Sequence, residues 1–328
     1  MEEIQETLTS FDKNLRFENF RTLVKLKPNP KALEQEKRNF MDFMFSFIEE
    51  VDFEEDQCIG RPRFSIKDVI KSLLVMCYNG MSFRRTETDL MDLKEKGIIK
   101  YIPSRSLLDK YMLLDETKKI IEKLIQMSSL FFIENEDTLI VDSTWLSPRM
   151  YTGGYRKVYD KKNTSLQKVR KLHVACLKNS RVICCAKATE GTLHDSRMFQ
   201  ELINTPIKNG FFIKKLLADA GYAGKDNYAF AQSLNITQTF INFRKNASIK
   251  HAKSQTYRNQ MKMFKEEPEK WHESYRFRVL VEEVFSSIKR KHTNYLRSRK
   301  DNSQDVELLL KCLVYNLTII CKYFVDNS

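Results

Sequence analysis

Five short apolar runs alternate with helix-like segments between residues 138 and 243, and no other feature restricts the chain as much. They are TLIVDST, the pair VRKLHVACL and RVICCAKATE, KKLLADAGYAG, and TQTFINF. The pair is joined at Lys178-Asn179-Ser180 and reads as a hairpin. A polar loop rich in Gly, Tyr and Lys fills 150–168, Asp195 is expected to cap one helix, and another is expected over 225–234. The resulting order is β, loop, β, β, α, β, α, β, then helices, which is the pattern of an α/β fold. Two of the runs end at aspartates, Asp142 and Asp219, the second followed at once by Gly221 and Gly224. Both are expected at C-terminal strand tips, where α/β folds gather their chemistry because neighbouring tips meet and loops leave room for ligand.

The segment 275–289, YRFRVLVEEVFSSIK, carries Tyr275, Arg278, Glu282 and Lys289 at the spacing Y-x2-R-x3-E-x6-K. At about 100° per residue of α-helix the four fall within a sector of roughly 60°. Phe277, Leu280, Val281, Val284 and Ile288 collect on the opposite face, so the helix can dock on a core while Glu283 points elsewhere. A single carboxylate among cations and a phenol suits a metal ligand placed where a nucleic-acid backbone lies. Residues 244–270 are polar, Lys-rich and weakly patterned, and read as an insertion or loop.

The N-terminal third reads as helical. Periodicity over 14–51 breaks at KPNP; Ser65 and Asp68 then form a candidate capping box before a stripe through Ile70, Leu73 and Leu74, with Gly80 as the stop. A second helix starts after Ser82, and a third is capped by Ser104 or Ser106. Arg61, Arg63, Arg84, Arg85, Arg105 and Lys110 lie near helix ends, as in a helix-turn-helix-like DNA reader; the alternative is a helical cap whose charges face water.

Five segments together carry a resemblance: V-D-S-T at Asp142, K-L-H-V at 171–174, T-L-H-D-S at 192–196, L-A-D-A-G-Y at 217–222, and the complete 275–289 motif. In this order they resemble insertion-sequence transposases of the D-D-E class, in the branch marked by a Tyr-Arg-Glu-Lys helix. The resemblance implies a ribonuclease H-like mixed sheet flanked by helices, preceded by an all-helical N-terminal domain. It places the helical, DNA-binding part at 1–134 and the catalytic part at 135–328, with a small insertion near 244–270. By the same resemblance Asp142, Asp219 and Glu282 would be the catalytic triad and the metal ligands. The activity implied is cleavage at element ends and strand transfer, with terminal inverted repeats and target DNA as partners and a homodimer on DNA.

Electrostatics agrees with a metal. Two unit charges 4 Å apart repel by about 1 kcal/mol in water and about 4 kcal/mol at an effective dielectric near 20, so three converging carboxylates require cations between them. Hard oxygen ligands suit Mg²⁺ or Mn²⁺, and two ions would serve an in-line phosphoryl transfer. Arg278 and Lys289 are expected to hold phosphates, and Tyr275 to donate to a phosphate or stack near the cut. Lys291 and Arg297 extend the basic surface, and His194 and Asp195 are candidate neighbours of the active site.

The net charge of +13 and pI near 9.3 fit contact with phosphates, although basic structural proteins share that balance. Two further readings therefore stand beside the first: a domesticated or inactive relative that keeps only DNA binding, and a basic structural nucleic-acid-binding protein. Seven cysteines without C-x-x-C pairs suggest buried thiols in a reducing cytoplasm, and no His/Cys cluster has zinc spacing. The N-terminus lacks the apolar core of a signal peptide. Lys311, Asn316 and Lys322 interrupt the late apolar stretch, which reads as a buried closing helix with no membrane partner.

Overall fold

The computed structural model of the chain describes residues 36–53, 65–148, 169–243, 247–248 and 254–326. The KPNP turn, Arg61, Arg63 and the polar loop at 150–168 lie outside the described residues.

β1 (Thr138–Leu146) is the middle of a five-stranded sheet. Its first five residues are all buried, which is why the run reads as continuously apolar up to Asp142 rather than alternating. β2 (Arg170–Leu177) pairs antiparallel with β1, and β3 (Ile183–Glu190) antiparallel with β2. On the other side β4 (Lys215–Ala218) runs parallel to β1, and β5 (Gln238–Ile241) parallel to β4. The order is β3-β2-β1-β4-β5, a mixed sheet flanked by helices. The β2–β3 connection turns through Arg181, whose φ of 60° is left-handed.

One expectation about β1 is corrected. Asp142 is not at the strand's tip: β1 continues to Leu146 because β2 pairs with it as far as Leu146↔Arg170. What ends beside Asp142 is β4, whose ladder with β1 stops at Val141↔Ala218. Asp142 and Asp219 are therefore the next residues on two parallel strands in register, about 4.8 Å apart in the hydrogen-bonding direction. The register makes the aspartates neighbours, one where its strand stops and the other where its strand runs on.

α1 (Glu36–Glu49), α2 (Ile66–Tyr78), α3 (Phe83–Glu95), α4 (Arg105–Tyr111) and α5 (Asp115–Ser129) precede the sheet. Their buried residues and those of the sheet form one hydrophobic cluster. The expected capping box of α2 does not form. Ser65 makes no side-chain cap bond, and the buried Asp68 carboxylate instead accepts the Lys100 and Tyr101 N–H groups at 3.0 and 3.3 Å, tying the α3–α4 connection to α2. Gly80 does end the helix, with φ +59°, and Ser104 caps α4 by accepting the Leu107 N–H.

α6 (Phe199–Lys208) packs on the sheet, and α7 (Lys225–Ser233) lies between β4 and β5 in sequence. The stretch read as a loop is largely helical: α8 (Gln255–Glu266) is followed by α9 (Pro268–Tyr275). Ser254 caps α8, and Tyr257, Met261 and Phe264 form a narrow apolar edge that packs among Tyr228, Phe243 and Trp271. Three aromatic or thioether contacts per three turns were too sparse to stand out from the lysines around them.

The segment 275–289 is also not one α-helix. α9 ends at Tyr275, residues 276–279 wind as a tighter 3₁₀ turn, and α10 (Leu280–Lys291) follows. Trp271 anchors α9 while Val281, Val284, Phe285 and Ile288 anchor α10 on the core, and the exposed Val279 marks the change between them. α11 (Asp301–Asp326) closes the molecule against α5, β3, α2 and α1. Its buried Lys311 is satisfied by the Thr293 and Tyr295 carbonyls and by Glu307. Among the described residues no helix is long and apolar enough to cross a membrane.

Candidate active site

β1, the β4 tip and α10 meet at Arg278. Its Nη2 lies 2.6 Å from Asp142 Oδ2, and its Nη1 2.5 Å from Glu282 Oε1. The tighter turn at 276–279 carries Arg278, while Glu282, four residues on, lies in the first turn of the regular helix beside it. Asp142 and Glu282 line one open cleft of about 610 Å³ with Ser143, Thr144, Ser286, Lys289, Arg290 and Asn294. Asp219 stands outside that lining, at the start of the 220–222 turn, but its charge is felt by both Asp142 and Arg278.

Burial pushes the Asp142 carboxyl up to about 6; the Arg278 guanidinium and the Ser143 backbone N–H pull against it, and the Asp219 and Asp195 charges add to the rise. Burial likewise pushes the Tyr275 phenol up to about 12, so it is a hydrogen-bond donor. Tyr275 is stacked on the fully buried Trp271 at 4.6 Å between ring centroids, which restrains its ring. Lys289 Nζ donates to Thr144 Oγ1 at 2.6 Å, joining α10 to β1. Glu283 faces away and pairs with Arg181 at 3.3 Å.

Asp195 does not cap a helix. His194 caps the short 195–197 turn, its side chain accepting the Ser196 N–H, and is itself exposed. The Asp195 carboxylate instead bridges strands: Ser143 Oγ donates to Oδ1 at 2.6 Å, and Lys171 Nζ lies 2.7 Å from the same oxygen. His173 Nδ1 is 3.5 Å away, too long for a hydrogen bond, and burial holds this imidazole down at about 4, so the contact is not an ion pair. Arg84 and Arg85 at the start of α3, Arg105 at the start of α4, Lys291 at the end of α10 and Arg297 beyond it are all exposed and stand outside the cleft lining. Arg297 lies over the Tyr295 ring at 5.4 Å.

Sequence reasoning gave no role to Ser143, Thr144, Lys171, His173 or Trp271. The first four lay inside the quoted V-D-S-T and K-L-H-V segments, and alternation along β1 would have set Ser143 and Asp142 on opposite faces.

The donor set suits a divalent cation in kind, since all three carboxylates offer hard oxygens and two of them already turn toward one positive group. That position is filled by Arg278, and among the described residues no three His, Cys, Asp or Glu side chains form a ready metal cage. Asp142 and Glu282 would turn hard oxygens toward an ion at that position with the guanidinium withdrawn.

No curated protein matches this chain. Among solved structures, a pre-cleavage Mos1 transpososome is similar at 14% identity over 99% of this chain and 97% of that one, with a TM-score of 0.22, a likeness too slight to carry argument. The family described as the transposase DDE domain matches residues 134–317, more than half of the chain and all five strands. The chain belongs to the transposase DDE domain family.

Proposed function

We propose that this chain is a DNA transposase of the Tyr-Arg-Glu-Lys branch, cutting DNA at element ends and transferring the freed 3′ ends into a target. The observation that carries the reading is the β1–β4 register, which sets Asp142 beside Asp219, together with the Arg278 bridge from Asp142 to Glu282. The strand order, with three antiparallel strands and then two parallel ones, supports a ribonuclease H-like sheet. In this reading residues 1–134 are the helical DNA-binding part, and the protein works in the cytoplasm as a homodimer on DNA.

Asp142, Asp219 and Glu282 would hold Mg²⁺ or Mn²⁺, two ions in this reading, which when bound supply Lewis-acid polarisation of a phosphoryl oxygen. The chain's own groups position the substrate. Lys289 and Arg290 on the cleft wall attract the phosphate backbone, and Arg278 presents a planar fork matched to phosphate oxygens. Tyr275, restrained by Trp271 and protonated, donates to a phosphate oxygen or stacks at the cut. The exposed Arg84, Arg85 and Arg105, with Lys291 and Arg297, hold DNA away from the cleft.

The test uses the full chain, Mg²⁺ and a duplex carrying the repeats that flank its gene. Glu282→Gln should abolish cleavage while leaving DNA binding largely intact, and Glu283→Gln should retain cleavage. Equal cleavage by the two variants would reject the reading. Binding to the repeats without nicking would indicate a relative that only binds DNA, and binding without preference for the repeats a structural protein.

A further inference from the structure

The guanidinium of Arg278 occupies the position that a cation shared by Asp142 and Glu282 would take. It does so incompletely: Nη1 and Nη2 each meet a carboxylate oxygen, while the Nε–H is buried without a partner. A buried donor left unpaired is unfavourable, and a phosphate can engage Nε and Nη together in the paired geometry that guanidinium favours. The cleft beside it carries Lys289 and Arg290, cations that draw a DNA backbone to that wall.

We propose that Arg278 is a latch: in the free protein it closes the divalent-ion position between Asp142 and Glu282, and DNA phosphate opens it by drawing the guanidinium away. Metal loading and DNA binding are then thermodynamically coupled, so that each strengthens the other. The benefit is chemical. A nuclease site that holds its ions only with DNA in place stays idle while no strand is bound. This inference rests on the proposed function, because it takes the three carboxylates to be metal ligands.

The experiment measures Mn²⁺ binding to the full-length protein by the electron paramagnetic resonance signal of free Mn²⁺, with and without a duplex carrying the flanking repeats. Wild type alone should bind weakly, and duplex should tighten binding about tenfold or more. Arg278→Ala and Arg278→Gln without DNA should already bind about tenfold more tightly than wild type, because a like charge has left the site. Adding Glu282→Gln should abolish the gain. Arg278 variants no tighter than wild type without DNA, while duplex-bound wild type holds Mn²⁺ in a Glu282-dependent way, would overturn the latch and leave the proposed function standing. No Glu282-dependent Mn²⁺ in any arm would overturn both. Should the variants fail to fold, the wild-type comparison still decides: equal Mn²⁺ affinity with and without duplex overturns the latch.

Discussion

Replacing Asn316 with leucine tests how the closing helix holds the sheet. Asn316 is fully buried on α11, yet its amide is completely used. Its Oδ1 accepts the Ile183 N–H at 2.9 Å, and its Nδ2 donates to the Ile183 carbonyl at 2.7 Å and to Ser128 Oγ at 2.9 Å. Ile183 opens β3, the edge of the sheet, so both of its backbone groups point where a sixth strand would lie. The side-chain amide imitates that missing strand and blunts the edge. Leucine, with the same branch at Cγ but bulkier ends, leaves two buried backbone groups unpaired, at about 1–3 kcal/mol each. Ser128 loses less, because its hydroxyl still donates to the Ile125 carbonyl. The expected loss is about 4 kcal/mol, read as a lowered urea midpoint at unchanged slope by circular dichroism. Lys322→Ala, at an exposed position of the same helix, should stay within about 0.5 kcal/mol of wild type. A loss below about 1 kcal/mol for Asn316→Leu would refute the idea that this amide carries the edge.

Three other outcomes follow from the site. A Cβ on Gly221 would stand 2.9 Å from Asp195 Oδ2, and Ser143 and Lys171 hold that carboxylate through its other oxygen, so Gly221→Ala should cost about 1–3 kcal/mol and slow cleavage by shifting the turn after Asp219; an unchanged melting temperature would count against it. His173 is held down at about 4 from an ordinary value of 6.5, so its contribution is fully present above 6.5 and disappears as pH falls toward 4. His173→Gln should therefore flatten stability against pH in that window by up to about 3 kcal/mol. Asp142, shifted the opposite way, is common to both proteins and cancels in the difference, so parallel urea midpoints across the window would contradict the assignment of neutral His173. Lys289→Ala removes one cation from the cleft wall and should reduce the magnitude of the slope of log K against log salt for duplex binding by roughly 1; an unchanged slope would leave Lys289 as only a tie to Thr144.

What could be read from sequence was whatever a local period or a short-range turn dictates. The hairpin, the strand ending before Asp219, the buried closing helix and the Ser104 cap all follow from such signals. What was not legible depended on where a partner stops. Asp142 looks like a strand end because its polar side chain interrupts an apolar run, but β2 carries the strand onward and only β4 ends there. Asp68 has the spacing of a capping residue, yet it serves the backbone of Lys100 and Tyr101, more than thirty positions away.

The same limit applies to the 275–289 segment, and there it bears on chemistry. Uniform helical spacing correctly groups Arg278 with Glu282, since both rely on separation by four residues. It cannot show that the turn before Leu280 tightens, or that Asp142 from another element shares the guanidinium. Read as one regular helix, the segment makes Arg278 a phosphate ligand standing beside a metal site. With the tighter turn, the side chain proposed for phosphate also stands between two carboxylates, and a guanidinium bound there is not available to phosphate. Competition for Arg278, in the proposed latch, is thus a property of tertiary packing, and the coupling of DNA to ions would follow from where one helix changes its pitch.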